Sequence, residues 1–131
     1  MRNTRWMFVV LVAVAGTACN PSTLNWQDLN VRTLQHQPIA LGEYQGEKIL
    51  LNFWATWCGP CVAELPSMIE AHEQLGDQVR FVLVSDEDPT VIERFAQQKN
   101  LPFDMLHLEA SFQVAGIVSI PQTYLIDSHG K

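Results

Sequence analysis

The sequence predicts an α/β sandwich around a mixed β-sheet, because strand-like apolar runs alternate with segments of helical spacing. The runs at residues 49–54 and 79–84 are almost continuously apolar, as expected for strands buried on both faces of a sheet. Helical segments follow them at residues 60–75 and 89–99. With 131 residues, 47% hydrophobic and 17% charged, the chain is long and apolar enough for one domain with a core.

The elements before the first helix are strands joined by turn-rich chain. Residues 29–35 alternate between apolar and polar side chains, which predicts a first strand. Residues 38–46 contain the helix breakers Gly42 and Gly46 and are predicted to be a connection. The apolar run at residues 49–54 then forms the central strand.

Each helical segment has one apolar face. In residues 60–75, which end before Gly76, the predicted inner face consists of Leu65, Met68, Ile69, His72 and Leu75. In residues 89–99, which Pro89 opens, it consists of Val91, Ile92, Phe95 and Ala96.

The last third of the chain predicts a short strand at residues 105–108, a short helix at 110–115, a strand at 123–126 and a turn at 127–130. A turn of this kind normally starts a hairpin, and the strand before it would otherwise present an unpaired edge. We therefore expect the folded domain, residues 28–131, to be truncated at its C-terminus and to lack a strand and a final helix.

The N-terminal segment reads as an export signal over residues 1–18, in which two arginines precede an apolar run too short for a bilayer span of about 20 residues. Small residues then lead to Cys19, as in bacterial lipoprotein signals, although Gly16 stands where that pattern carries a larger aliphatic residue. We expect lipidation of Cys19, with an uncleaved anchor and ordinary signal cleavage as alternatives. Residues 19–27 would be the tether.

The charge of the chain limits its partners. The net charge is −6 at pH 7 and no run of basic residues occurs, which argues against nucleic-acid binding. We predict a monomer that needs no cofactor and no metal ion.

The chemistry of the sequence centres on Cys58 and Cys61, which lie at the predicted junction between the central strand and the first helix. Free backbone N–H groups and the helix dipole stabilise a thiolate there, and the thiolate is the species that attacks disulfides. We assign Cys58 as the attacking thiol and Cys61 as the resolving thiol, with Gly59 and Pro60 forming the turn between them. A disulfide closing so short a loop would add little stability, so a catalytic role is favoured.

The residues that flank the cysteine pair have separate interpretations. We expect Trp54 to pack in the core and Trp57 to shield the thiol and contact a substrate polypeptide. Glu64 lies three residues after Cys61 and shares its helix face. A carboxylate so close to a buried thiol can acquire a raised pKa and transfer protons. The alternative is a solvated glutamate that the helix dipole favours.

Taken together, these motifs resemble the thioredoxin superfamily. The resemblance rests on residues 53–61, on Pro66 five residues beyond the second cysteine, and on a proline, Pro121, before the last strand. More narrowly, the chain is similar to the TlpA/ResA-type thiol–disulfide oxidoreductases, whose Cys-x-x-Glu-x-Pro pattern matches residues 61–66. Asn52 stands where thioredoxin has a buried Asp, and the chain before Pro121 has room for an extra helix and strand.

The resemblance implies roles for particular residues. It implies that Pro121 follows a cis peptide bond and that the backbone of Ile120 and Pro121 holds a substrate strand opposite Cys58. It also implies that Glu64 tunes the cysteine pair in place of the missing Asp. The other residues expected at the substrate site are Trp57, Gly59 and Pro60.

Family members typically act as membrane-tethered reductants in the bacterial periplasm or at the cell surface. The resemblance therefore implies exported protein disulfides or apocytochrome, as in cytochrome c maturation, as substrate, and a membrane thiol–disulfide protein as electron donor. A thiol oxidase of the same fold is one alternative. A Cu(I)-delivery module is another, since two thiolates bind Cu(I), although no histidine has metal-ligand spacing to the pair. No cysteine has the Thr-x-x-Cys setting of a peroxidase.

Overall fold

A six-stranded mixed sheet forms the centre of the structure, a computed structural model that describes residues 24–131. The strands are β1 (Val31–Thr33), β2 (Pro38–Ile39), β3 (Ile49–Phe53), β4 (Arg80–Ser85), β5 (Asp104–Leu108) and β6 (Gln122–Ile126). The helices are α1 (Gly59–Leu75) and α2 (Pro89–Lys99), with short 3-10 helices at Trp26–Asp28 and Leu41–Tyr44. The predicted signal peptide and Cys19 lie outside the described residues.

The strand order β2-β1-β5-β4-β3-β6 combines parallel and antiparallel pairs. β3 pairs in parallel with β4, and β4 with β5, while β6 runs antiparallel to β3 and β1 antiparallel to β5. The mixed sheet predicted from the sequence is confirmed. Because β3 lies between β4 and β6, residues near its carboxyl end can reach both neighbours.

Two apolar clusters cover the two faces of the sheet. On one face, both α-helices pack against alternate residues of β4, including Phe81 and Leu83, through Leu65 of α1 and Ile92 of α2. On the other face, Val82 and Val84 pack in a cluster that segments outside the α-helices complete, through residues such as Trp26, Phe112 and Ile117. Since Trp26 is buried, the folded domain includes residues that the sequence assigned to the tether.

No helix within residues 24–131 combines the length and the hydropathy that a membrane span requires.

Two local predictions were wrong. The predicted helix at residues 110–115 is a series of turns, in which the Phe112 N–H donates to the Asp86 carboxylate and Gly116 has a φ of +82°. The predicted connection at residues 38–46 contains β2 and a 3-10 helix. The first segment bonds to Asp86, far away in the sequence, whereas β2 pairs with the nearby β1 in a short hairpin.

The inner faces of the helices are narrower than predicted. In α2, Ile92 is fully buried whereas Val91 is 41% exposed, because the inner stripe continues from Ile92 to Phe95 and Ala96. At the end of α1, Leu75 is 42% exposed.

Candidate active site

The two predicted redox cysteines lie at the first turn of α1 and are joined by a disulfide, with their Cα atoms 5.2 Å apart. Cys58 is the N-cap residue in extended conformation, and its Sγ accepts a hydrogen bond from the Cys61 N–H at 3.2 Å. Pro60 occupies the start of the helix, where its missing N–H costs no hydrogen bond. The helix N-terminus therefore directs a donor at the Cys58 sulfur.

The two cysteines differ in access. Cys58 lines a groove of about 610 Å³, whereas Cys61, 1% exposed, does not. One wall of this active-site groove consists of residues 57–60, and the other comes from the segment 111–120. Asp86 also lines it. Of the two cysteines, Cys58 is therefore the one in contact with the groove.

Ile120 joins Cys58 in the lining of the groove. The peptide bond between Ile120 and Pro121 is cis, as the resemblance implies, and half-buried Pro121 leads directly into β6. The structure thus brings together Trp57, Cys58, Gly59, Pro60 and Ile120, with Pro121 next to the groove rather than in its lining.

The two tryptophans near the cysteines have different environments. Trp54 is fully buried, and its ring lies 5.5 Å from that of Phe95, so the predicted core position is confirmed. Trp57 is 71% exposed on one wall of the groove, and a second exposed apolar residue, Val118, lies on the other wall. Large apolar side chains left in water beside a reactive group are suited to contact another chain.

Glu64 is tied to the sheet by a buried amide. The Asn52 Nδ2 donates to Glu64 Oε1 at 3.0 Å and to Thr123 Oγ1 at 2.9 Å. Asn52 is 1% exposed and Glu64 half-buried, so this glutamate is not a freely solvated residue of the first turn. An aspartate at position 52 could not donate in this way unless it held a proton.

Two site residues were missed in the sequence. The Glu87 carboxylate accepts from the Thr56 N–H at 2.8 Å and from the Thr56 hydroxyl at 2.7 Å, and the Asp86 carboxylate accepts from the Phe112 N–H at 3.0 Å. The available signal was their position after a buried strand, β4, which runs parallel to the strand that precedes Cys58. The carboxyl ends of parallel strands meet at one edge of a sheet, where ligands commonly bind.

Comparison with known proteins agrees with this geometry. The model of the AhpC/TSA family matches residues 25–131. The thioredoxin-like protein YneN of Bacillus subtilis is 32% identical over 79% of this chain and 64% of its own length. The thiol-disulfide oxidoreductase ResA of Geobacillus thermodenitrificans is 34% identical over 92% of this chain and 67% of its own. The chain thus spans less than two thirds of YneN and about two thirds of this ResA.

Solved structures share the fold. A secreted disulfide oxidoreductase of Mycobacterium tuberculosis superposes with a TM-score of 0.68 at 26% identity, over 80% of this chain and 79% of that one. A thiol:disulfide interchange protein from Bacteroides sp. gives 0.69 at 19% identity, over 79% and 72%, and shows the fold alone. The resemblance drawn from the sequence motifs is confirmed.

The hydrogen bond between Asn52 and Glu64 makes a testable prediction. Asn52→Asp would place two carboxyl groups 3.0 Å apart in a half-buried setting, where their charges repel until one of them binds a proton. We expect the free energy of unfolding to fall by about 1–3 kcal/mol at pH 7. Part of the loss should be regained at pH 5, because the repulsion disappears as one carboxyl protonates. Urea denaturation of the oxidised protein at both pH values measures this.

The double variant Asn52→Asp/Glu64→Gln is the matched control. It exchanges donor and acceptor, so the glutamine amide can donate to the new carboxylate, and most of the stability at pH 7 should return. Equal losses in the single and double variants would contradict the pairing.

Proposed function

The chain belongs to the AhpC/TSA family, and from that premise we propose that it is an exported, membrane-tethered thiol–disulfide oxidoreductase that reduces disulfides of exported proteins. The observation that carries the proposal is the Cys58–Cys61 disulfide at the first turn of α1, with only Cys58 facing the groove. Relatives named thiol-disulfide oxidoreductase support it.

The proposed exchange starts from the reduced pair. The Cys58 thiolate attacks one sulfur of a substrate disulfide, the substrate S–S bond breaks, and the second substrate sulfur leaves as a thiolate that takes up a proton. The Cys61 thiolate then attacks Cys58 Sγ and releases the first substrate sulfur. Two electrons have passed to the substrate, and the Cys58–Cys61 disulfide remains for an electron donor to reduce.

The charge around the groove favours the reducing direction. A dithiol is a strong oxidant when its reduced form is stabilised, as it is by positive charge near the thiolate. Here the groove contains the Asp86 carboxylate, which is hydrogen-bonded to a neutral backbone N–H. Such negative charge opposes the thiolate and thereby favours the disulfide form, which makes the reduced pair a better electron donor.

We assign the groove residues as follows. The backbone of Ile120 and Pro121 holds an extended substrate segment opposite Cys58, and the exposed indole of Trp57 gives that segment an apolar contact. Gly59 and Pro60 complete the wall next to the sulfur. Glu64, on the helix face of Cys61, exchanges protons with the pair during the resolving step.

We place the protein on the outer side of a bacterial membrane, with residues 1–18 as the export signal, lipidated Cys19 as the anchor and residues 28–131 as the working domain. A solved relative from Mycobacterium tuberculosis is described as secreted, which is consistent with this location. Exported disulfide proteins, apocytochrome among them, would be the substrates, and a membrane thiol–disulfide protein the donor.

Replacing the resolving thiol should trap the substrate. In Cys61→Ser no thiol remains to attack the mixed disulfide, so Cys58 should stay linked to substrate, while Cys58→Ser should lose disulfide reduction and capture nothing. The measurement is non-reducing electrophoresis with mass spectrometry of captured proteins from an exported-protein extract. The exchange mechanism fails if Cys61→Ser captures no more than Cys58→Ser does.

Removing the charge of Glu64 should change the thiols more than the fold. We expect Glu64→Gln to shift the pH dependence of thiol alkylation by about one unit or more, because a carboxylate on the helix face of Cys61 opposes ionisation of the thiols. A shift of one unit corresponds to about 1.4 kcal/mol between the two protonation states. Its urea midpoint should move little, since the glutamine oxygen still accepts from Asn52. An alkylation profile identical to the wild type would leave Glu64 with a structural role only.

The redox potential decides between reductase and oxidase. Equilibration with glutathione should give a potential more negative than about −200 mV, in the range of reducing members of the fold, whereas strong oxidants lie near about −120 mV. Single-cysteine variants provide the baseline without a dithiol couple. A redox potential close to that of the strong oxidants would contradict the reductase proposal and favour a thiol oxidase.

A further inference from the structure

The loop at residues 54–58, which ends at Cys58, is held by Glu87, a residue that follows β4. The Thr56 N–H and hydroxyl donate to the two carboxylate oxygens of Glu87, and the hydroxyl of fully buried Ser85 donates to Oε2 at 2.9 Å. The Glu87 backbone is also constrained, because its carbonyl lies 2.9 Å from His107 Nδ1. Thr56 is only two residues before Cys58, so the position of this carboxylate sets that of the loop.

The opposite wall is held by the neighbouring residue. The Asp86 carboxylate accepts from the N–H of Phe112 in a segment of successive turns, whose backbone hydrogen bonds, such as that from the Ala115 N–H to the Ser111 carbonyl, stay within the segment. The Phe112 ring packs edge-on against Phe53 of β3 in the core, and the two ring centroids are 6.2 Å apart. The carboxylate thus fixes the backbone from which Ser111 and Gln113 face the groove.

We propose that Asp86 and Glu87 form an acidic clamp, a pair of positioning residues that fixes the distance between the two groove walls and so aligns a polypeptide disulfide with Cys58. The role presupposes the disulfide exchange proposed above. An extended polypeptide must touch both walls at once, whereas a small disulfide needs only access to the Cys58 sulfur. The clamp therefore acts on polypeptide substrates selectively.

Asp88 provides the matched control. It is the next acidic residue, but it caps α2 by accepting from the Thr90 N–H at 2.8 Å, and it is absent from the groove lining. Hydrogen bonds from Thr90, its hydroxyl first, lower the pKa of Asp88. Asp88→Ala removes one carboxylate, as Asp86→Ala and Glu87→Ala do, and it destabilises α2. It breaks neither of the hydrogen bonds that hold the groove walls.

The test compares reduction of insulin with reduction of dithiobis(nitrobenzoate). We expect Asp86→Ala and Glu87→Ala to lower the ratio of kcat/KM for insulin to kcat/KM for the small disulfide by about tenfold or more, since small misplacements in a reacting pair are costly. The ratio cancels any change in Cys58 reactivity that the loss of a carboxylate causes, because both disulfides react with the same thiolate. Glu87→Gln should retain most insulin activity, because the carbonyl oxygen of the glutamine side chain can accept from the Thr56 N–H. Asp88→Ala should leave the ratio of the two activities unchanged.

Thr56→Val removes one donor from the other side of the clamp and should give a smaller selective loss, which keeps the test decisive if an alanine variant does not fold. Unchanged ratios in folded variants, or equal losses on both disulfides, would overturn the clamp. Insulin activity in Glu87→Gln as low as in Glu87→Ala would assign the effect to charge and overturn it as well. A wild-type protein inactive on both disulfides would instead overturn the proposed function, and the clamp with it.

Discussion

The connection between β3 and α1 occupies only residues 54–58, and the position of the redox pair depends on it. The Trp54 N–H still donates to the Val84 carbonyl of β4, and Trp54 and Ala55 are fully buried, so the chain stays fixed to the sheet until just before it turns. The Cys58 N–H then donates to the Ala55 carbonyl at 3.2 Å. α1 consequently begins at the carboxyl edge of the parallel strands, and its first turn presents the disulfide there.

Three carboxylates lie around this site, and the groups that donate hydrogen bonds to them are neutral. Glu64 receives the Asn52 amide, Asp86 a backbone N–H, and Glu87 donors from Thr56 and Ser85. The ion pairs within residues 24–131 lie elsewhere, at Arg32 and Arg80. Neutral donors orient a carboxylate without cancelling its charge. The same groups can therefore hold the walls of the groove and make the electrostatic potential in it more negative. A more negative potential destabilises the Cys58 thiolate.

The parts of the structure that could be predicted are those governed by neighbours in sequence. The spacing of Cys58 and Cys61 and the place of Pro89 at the first position of α2 are local, and α2 begins and ends as predicted. The contacts of the acidic clamp join residues 31 and 26 positions apart, so no window of sequence contains both partners. Residues 110–115 keep one bond of helical spacing, from the Ala115 N–H to the Ser111 carbonyl, but no helix continues because the chain turns at Gly116, whose φ is +82°.

The different accessibility of the two cysteines follows from their positions on the helix and gives the proposed exchange its order. Both sulfurs lie at the same positive end of α1, so the dipole distinguishes them less than access does. Both cysteines belong to the apolar cluster that contains Leu65, but Cys58, as the N-cap, also lines the groove, whereas Cys61 does not. A polypeptide disulfide cannot reach Cys61 directly. In the proposed exchange Cys61 therefore attacks the Cys58 sulfur only after Cys58 has bonded to the substrate. With the two Cα atoms 5.2 Å apart, that second attack is intramolecular and needs no further encounter.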